Sequence, residues 1–433
     1  MTPEIILMVI VVLTALAFDF TNGFHDTANA MATSIATKAL SPKAAVTLCA
    51  VLNLVGAFLS VEVALTVTTA VIRIQNPDGS LRPELLADGG FNILLILLAG
   101  LAGAIIWNIL TWLWGLPSSS SHALFGGLVG ATIAGLGFDQ VKWLGEGAHL
   151  DGVIGKVVLP ALASPFIALV VSAIGTKLVF WVTREVATRY RETGFRWGQI
   201  GTASLMSLSH GTNDAQKTMG MVTLALLACG EWTDLHSIPL WVKVACALAI
   251  AAGTYIGGWR IIRTMGHGLV SVSSPQGMVA EASSAAVILT SSQLGFALST
   301  THVATGSILG TGIGIGAKVR WEVAVRMVVA WLTTLPLAGL VGAALYGIGR
   351  LIGGPPGAAA VFLVMAAAAG YMYWHSRKDK ISHENVADID WDDDEDDEPW
   401  PVAAAAGPDD DLAEDEAALV AVGALGRDPR EAD

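Results

Sequence analysis

Gly23-Phe24-His25-Asp26-Thr27-Ala28-Asn29-Ala30-Met31 is answered by Gly211-Thr212-Asn213-Asp214-Ala215-Gln216-Lys217-Thr218-Met219, with the two Asp residues 188 positions apart. A second piece, Ser119-Ser120-Ser121-His122 followed by Gly126 and Gly130, is answered by Ser299-Thr300-Thr301-His302 followed by Gly306 and Gly310, an offset of 180. Two different motifs recur in one order at nearly one spacing. Chance matches do not keep order and spacing together, so the chain reads as a tandem duplication.

The sequence around these motifs is apolar. Of 433 residues, 53% are hydrophobic and only 14% charged, and the mean hydropathy is +0.60. A soluble chain carries about 25% charged residues, so the natural solvent for this surface is lipid. The net charge of −13 belongs to one place: residues 388–416 hold 15 acidic side chains and no Lys or Arg, and the rest sums to +2. Apolar runs lie at 5–20, 44–72, 93–114, 121–138, 153–182, 200–208 with 219–229, 240–259, 279–296, 302–316, 323–350 and 358–374. A spanning helix needs roughly 20 apolar residues. Several runs are shorter, notably 302–316, which predicts discontinuous or re-entrant helices of the kind transporters place near the midplane. The expected fold is an all-α integral membrane protein of about ten to twelve segments, built as two inverted-topology repeats. The predicted division is repeat 1 at 1–182, a basic cytoplasmic linker at 183–198, repeat 2 with a final helix at 199–376, and an acidic disordered tail at 377–433.

Loop charges orient the chain. With the N-terminus outside, the inner loops carry Lys38, Lys43, Arg184, Arg189, Arg191, Arg196, Arg260, Arg263, Lys318, Arg320, Arg377, Lys378 and Lys380. The outer loops carry Asp78, Glu84, Asp88, Asp139, Glu146, Asp151, Glu231 and Asp234. That is the positive-inside pattern. No basic n-region or cleavage site precedes the first apolar run, which is expected to stay as a membrane segment. Cys49, Cys229 and Cys246 form no CxxC pair and read as packing residues.

Polar side chains inside apolar segments are costly and mark pathways. Asp26, Asn29, Asn213, Asp214 and Lys217 are such residues; a helix-to-helix bonding role, with Asp214 and Lys217 as an i, i+3 pair, is the plainer reading. The clusters Ser118–Ser121 and Ser299–Thr301 each precede a Gly-spaced helix. Capped helix starts offer free N–H groups, a positive dipole end and hydroxyl donors to an anion, although plain capping also explains them. We expect Asn29, Ser119, Ser120, Ser121, Asn213, Lys217, Ser299, Thr300 and Thr301 to bind the anion. Asp26 and Asp214 would repel a bare anion, so they are expected to hold a coupling cation or proton, with Glu281 and His25 assisting. His122, His210 and His302 also sit by the motifs; Glu62 divides evenly between function and a solvated edge. The Gly pairs have GxxxG spacing and are expected to serve helix packing.

Asn22–Ala30 and Ser209–Lys217 resemble the paired signatures of the Pit family of inorganic phosphate transporters, and Gly115–His122 and Leu298–His302 resemble its second paired elements. The resemblance covers about residues 5–375. It implies an inverted-repeat helical fold in the plasma membrane, phosphate bound near the midplane, and symport driven by protons or sodium. It also implies, for the bacterial low-affinity type, phosphate carried as a neutral complex with a divalent metal. Many members have Asn where this chain has His25, and the His form resembles the proton-coupled type. The expected partners are inorganic phosphate, a coupling cation and the bilayer, with a homodimer left open and no nucleic acid. No resident cofactor is expected, and the identity of any metal stays open. A sulfate or other oxyanion permease on the same fold and a non-transporting phosphate sensor are the competing readings. An intramembrane hydrolase is disfavoured, because adjacent Ser121 and His122 diverge on a helix and no GxSxG elbow is present.

Overall fold

The computed structural model describes residues 2–74, 82–83, 88–145, 151–186, 188–378 and 380–386, with backbone alone at 188–192. Asp78, Glu84 and Glu146, the side chains of Arg189 and Arg191, and the tail beyond 386 lie outside the described residues.

Thirteen α-helices carry the described chain: α1 (Pro3–Ala36), α2 (Pro42–Gly56), α3 (Glu62–Ala70), α4 (Phe91–Leu113), α5 (Ser120–Leu136), α6 (Leu159–Val182), α7 (Thr188–Ala228), α8 (Leu240–Ile256), α9 (Trp259–His267), α10 (Ser274–Gln293), α11 (Thr300–Ile315), α12 (Trp321–Ile352) and α13 (Gly354–Ser376). The boundaries follow local chemistry. Pro occupies the first turn of α1, α2, α6, α10 and α13, where its missing N–H costs nothing. A capping box of Ser273 and Gln276 starts α10.

The element order repeats. A long motif helix (α1, α7) is followed by a broken pair (α2–α3, α8–α9), a helix (α4, α10), a short helix (α5, α11) and a long helix with an internal proline (α6 with Pro165, α12 with Pro336). The halves exchange partners: α5 packs on α12 and α11 on α6, while α1 packs on α8 and α2 on α7. Two isolated antiparallel bridges, Ile72 with Val141 and Val270 with Val319, occupy matching places.

Among the described residues, five helices are long and apolar enough to cross a membrane, or six if the α8–α9 pair, bent by 67°, is one span. Helices such as α2, α5 and α11 are apolar but too short for that test, as the short runs in the sequence imply. Burial separates their roles. The apolar window of α4 is 89% buried inside the protein, whereas those of α6 and α13 are each 28% buried and present Phe166, Leu178 and Leu363 outward. The first is a core strut and the others form the lipid-facing shell.

Residues 200–208 and 219–229, read together as one run, belong to one helix, α7, which also takes in 188–198 of the segment read as the 183–198 linker. Breaks fall at 57–61 and at Gly257-Gly258. The tail begins packed, since Val386 is buried in the apolar cluster of α1, α9, α10 and α11. A larger cluster gathers around α4. The repeated order of elements brings Asp26, Asn29, Asp214 and Lys217 to the region where these two apolar cores meet.

Candidate functional site

The repeated motifs converge although 188 residues separate them. Asp26 of α1 and His210 and Asp214 of α7 offer ligand atoms that all lie within 4.8 Å of one another. The second motifs arrive with them, because Ser119 and Ser299 cap α5 and α11. Each accepts from the backbone N–H of the histidine three residues on, at 3.1 Å from His122 and 3.3 Å from His302.

Each aspartate bonds the hydroxyl cluster of its own half. Ser120 donates to Asp26 Oδ2 at 2.5 Å, and Thr300 donates to Asp214 Oδ2 at 3.1 Å. The residue three positions after each aspartate crosses to the other half. Asn29 Nδ2 donates to Thr300 Oγ1 (3.1 Å) and Thr301 Oγ1 (3.0 Å), and Lys217 Nζ donates to Ser121 Oγ (2.6 Å). The result is a two-fold clasp in which Asn29 in one half stands where Lys217 stands in the other.

Lys217 also bonds Asp214 and the Leu298 carbonyl (2.9 Å), so the i, i+3 pair read from sequence exists inside the site. His210 Nε2 lies 3.0 Å from Asp214 Oδ2, and its Nδ1 lies 3.2 Å from Asn53 Oδ1. His25 Nδ1 lies 2.6 Å from Asp26 Oδ1, with Nε2 toward Thr111 (3.2 Å). Asn213 donates to Ser292 at 2.9 Å. The side-chain oxygens of Asn29 and Asn213 have no partner. All these residues are at most 7% exposed, so the described conformation is closed to solvent on both sides.

Not every candidate joins the cluster. Ser119 and Ser299 spend their hydroxyl oxygens on capping. Glu281 sits in a separate polar nest on α10. Its Oε1 accepts from Thr33 (2.7 Å), Ser34 (2.6 Å) and Gln199 (3.3 Å), and its Oε2 from Thr202 (2.8 Å). Glu62 is exposed at the start of α3. The Ser121 hydroxyl is engaged by Lys217 and Leu298, while the His122 ring packs on His302 with centroids 4.7 Å apart. Sequence reasoning missed Asn53, Thr111, Gln199 and Asp19. Asp19 carried a signal, an acidic residue inside an apolar run; the others are polar residues whose partners lie far away in sequence.

With both imidazoles neutral, two carboxylates and one ammonium leave the cluster at −1. Asp26, His210 and Asp214 fit a small cation that would offset this charge, and the hydroxyls and Lys217 fit an oxyanion beside it.

A multi-pass helical membrane protein with a closed, two-fold polar site between its halves has the architecture that transporters use. The chain belongs to the phosphate transporter family, whose model matches residues 22–342. It is 56% identical over 394 residues to a probable low-affinity inorganic phosphate transporter of Mycobacterium bovis, covering 90% of this chain and 89% of the relative. It is 41% identical over 349 residues to a protein of the same description from Bacillus subtilis, covering 80% and 98%. A solved structure described as the sodium-dependent phosphate transporter superposes with a TM-score of 0.66 at 21% identity, covering 80% of this chain and 99% of that one. That likeness concerns the fold.

Proposed function

We propose that this protein carries inorganic phosphate across the plasma membrane by symport with protons, as a carrier and not an enzyme. The carrying observation is the clasp: Asp26–Ser120 and Asp214–Thr300 within halves, Asn29–Thr301 and Lys217–Ser121 between them. In this reading Ser120, Ser121, Thr300, Thr301, Asn29, Asn213 and Lys217 surround the phosphate, and Ser119 and Ser299 hold the helix starts toward it. The unpartnered oxygens of Asn29 and Asn213 are acceptors. Hydrogen phosphate brings an O–H donor for them and sulfate brings none, so the site favours phosphate over sulfate.

Asp26 and Asp214 hold the coupling cation, and Glu281 holds a second charge one turn beyond Asn29. The short contact of His25 with Asp26 supports protons, since an imidazole there can pass a proton to the carboxylate. The grouping of Asp26, His210 and Asp214 supports a second version, in which a divalent metal travels as cargo with phosphate. Because the halves pack through exchanged helices, inverted repeats that rock about the clasp would expose it to each side in turn.

The test is uptake of radiolabelled phosphate by reconstituted protein under an imposed proton gradient, with and without sodium and magnesium. Uptake that needs the gradient, ignores sodium and is not matched by sulfate supports the proposal. Uptake driven by sodium alone would overturn the proton assignment, and a strict need for magnesium would favour the metal–phosphate version. A folded protein without phosphate uptake under any gradient would overturn transport in favour of a sensor.

A further inference from the structure

Helix α1 carries a buried polar stripe. Asp19, Asn22, Asp26, Asn29 and Thr33 fall three or four residues apart, the spacing of one helix face, and each is at most 7% exposed. Asp26, Asn29 and Thr33 are bonded into the polar clusters described above. Asp19 is not. It is wholly buried, and neither carboxyl oxygen has a hydrogen-bond partner among the described residues.

The groups that act on it come from α7 and α8. On α7, the Thr218 hydroxyl is the nearest donor to it, itself without a partner that meets hydrogen-bond geometry among the described residues, and the charges of Asp214 and Lys217 act on it. On α8, the Cys246 thiol feels its charge. Helix α4, which also packs on α1, has no ionisable side chain between Phe91 and Leu113. On α1 itself the nearest ionisable groups are His25 and Asp26, the latter two turns on, about 10 Å along the axis.

A bare carboxylate without donors in an apolar interior is strongly disfavoured, so this group must hold positive charge. A hard metal cation takes a shell of several oxygens. Besides the clasp charges, the groups from α7 and α8 that interact with it are one hydroxyl and one thiol, which do not supply such a shell. A proton needs only the carboxyl itself. We propose that Asp19 is a proton-binding site of the transport cycle, distinct from Asp26 and Asp214 and placed midway along α1, two turns before Asp26. Loading it removes a negative charge that acts on Asp214 and Lys217, and so favours an anion in the clasp. Releasing the proton restores the charge and favours release of the anion. The proton binds to and leaves one carboxyl oxygen, and no other bond changes. This inference rests on the proton-coupled reading of the main site.

Two measurements on the full chain test it. Infrared difference spectra of the protein in nanodiscs, titrated with pH, should show the carbonyl band of a protonated carboxylic acid that is missing in Asp19→Asn. Superimposable spectra of the two proteins would overturn the proposal. In liposomes, Asp19→Asn should lower proton-gradient-driven phosphate uptake about tenfold, within the usual range of coupling between sites, while phosphate–phosphate exchange at equal pH persists. Asp19→Glu should restore the response to the gradient. Equal loss of uptake and exchange would indicate a structural role and overturn it, as would a variant with an unaltered gradient response. A wild type that transports no phosphate yet shows the Asp19 band would sink the transport reading and leave the proton site standing.

Discussion

Lys217 is the only buried lysine side chain among the described residues, and its surroundings explain its tolerance there. It gives its ammonium to Asp214, Ser121 and the Leu298 carbonyl. Lys217→Met would keep the volume and strand the Asp214 charge with His210 and Thr300. Breaking a buried pair in this way costs about 3–5 kcal/mol, so thermal unfolding in detergent should show a large drop and uptake should vanish. Lys217→Met with Asp214→Asn should recover much of the stability and none of the transport, since neither remaining group is charged. Asp26→Asn removes the charge and turns one of the two oxygens that serve Ser120 and His25 into a donor, while keeping the shape. Uptake should fall by about 10²-fold or less severely if the pair acts only as a scaffold, and its dependence on pH should flatten. An unaltered pH dependence would remove Asp26 from coupling. Among loop residues, burial tends to raise the Asp151 carboxyl. Hydrogen bonds from Lys142 (2.5 Å) and the Gly152 N–H, with the nearby Lys charges, nevertheless hold it below the usual range. Whatever stability it adds is therefore present above about pH 4 and fades as pH falls through its folded value.

At the scale of elements, the Gly-spaced helices are docking surfaces, as their GxxxG spacing implied. A Cβ at Gly126 or Gly130 would stand 2.3 Å from the Leu335 carbonyl or 1.9 Å from that of Gly339 on α12. On the other side, a Cβ at Gly306 or Gly310 would meet the carbonyls of Pro165 (2.3 Å) and Leu169 (2.2 Å) on α6. Each short helix thus lies backbone to backbone against the proline-bearing helix of the other half, which fixes where Ser120, Ser121, Thr300 and Thr301 stand. Gly130→Ala must push α5 off α12 and should destabilise by about 1–3 kcal/mol or more. Gly347→Ala on α12 meets nothing within 4 Å and should be neutral or slightly stabilising through helix propensity. Melting temperatures of the two variants in one detergent compare them directly, and equal effects would refute the close-packing account. Sequence read these glycines correctly. A polar motif inside an apolar run looks like an interruption, yet α1 and α7 stay helical because their buried polar side chains bond each other and the hydroxyl clusters, leaving the backbone ladder intact.

At the scale of the whole molecule, α7 joins the halves. Its 41 residues make a rod of about 60 Å, longer than the bilayer core. Glu185 and Asp234 flank its two ends and are exposed. Cysteines introduced singly as Glu185→Cys and Asp234→Cys in a chain without Cys49, Cys229 and Cys246 should react with an impermeant reagent from opposite faces of a sealed vesicle. Reaction of both from one face would refute the orientation and the inverted relation of the halves. The sequence by itself determined the solvent, the duplication and the residues Asp26, Asn29, Asp214 and Lys217, because each of these is written locally, in composition or in a motif that appears twice. Tertiary structure alone decided which residue answers which: Asn29 with Thr301, Lys217 with Ser121, Glu281 with Thr33 and Gln199, and Asp19 with none of the described residues. The reason is physical. A hydrogen bond across a bilayer-buried interface joins residues up to 272 positions apart, and only the packing of exchanged helices brings them within reach.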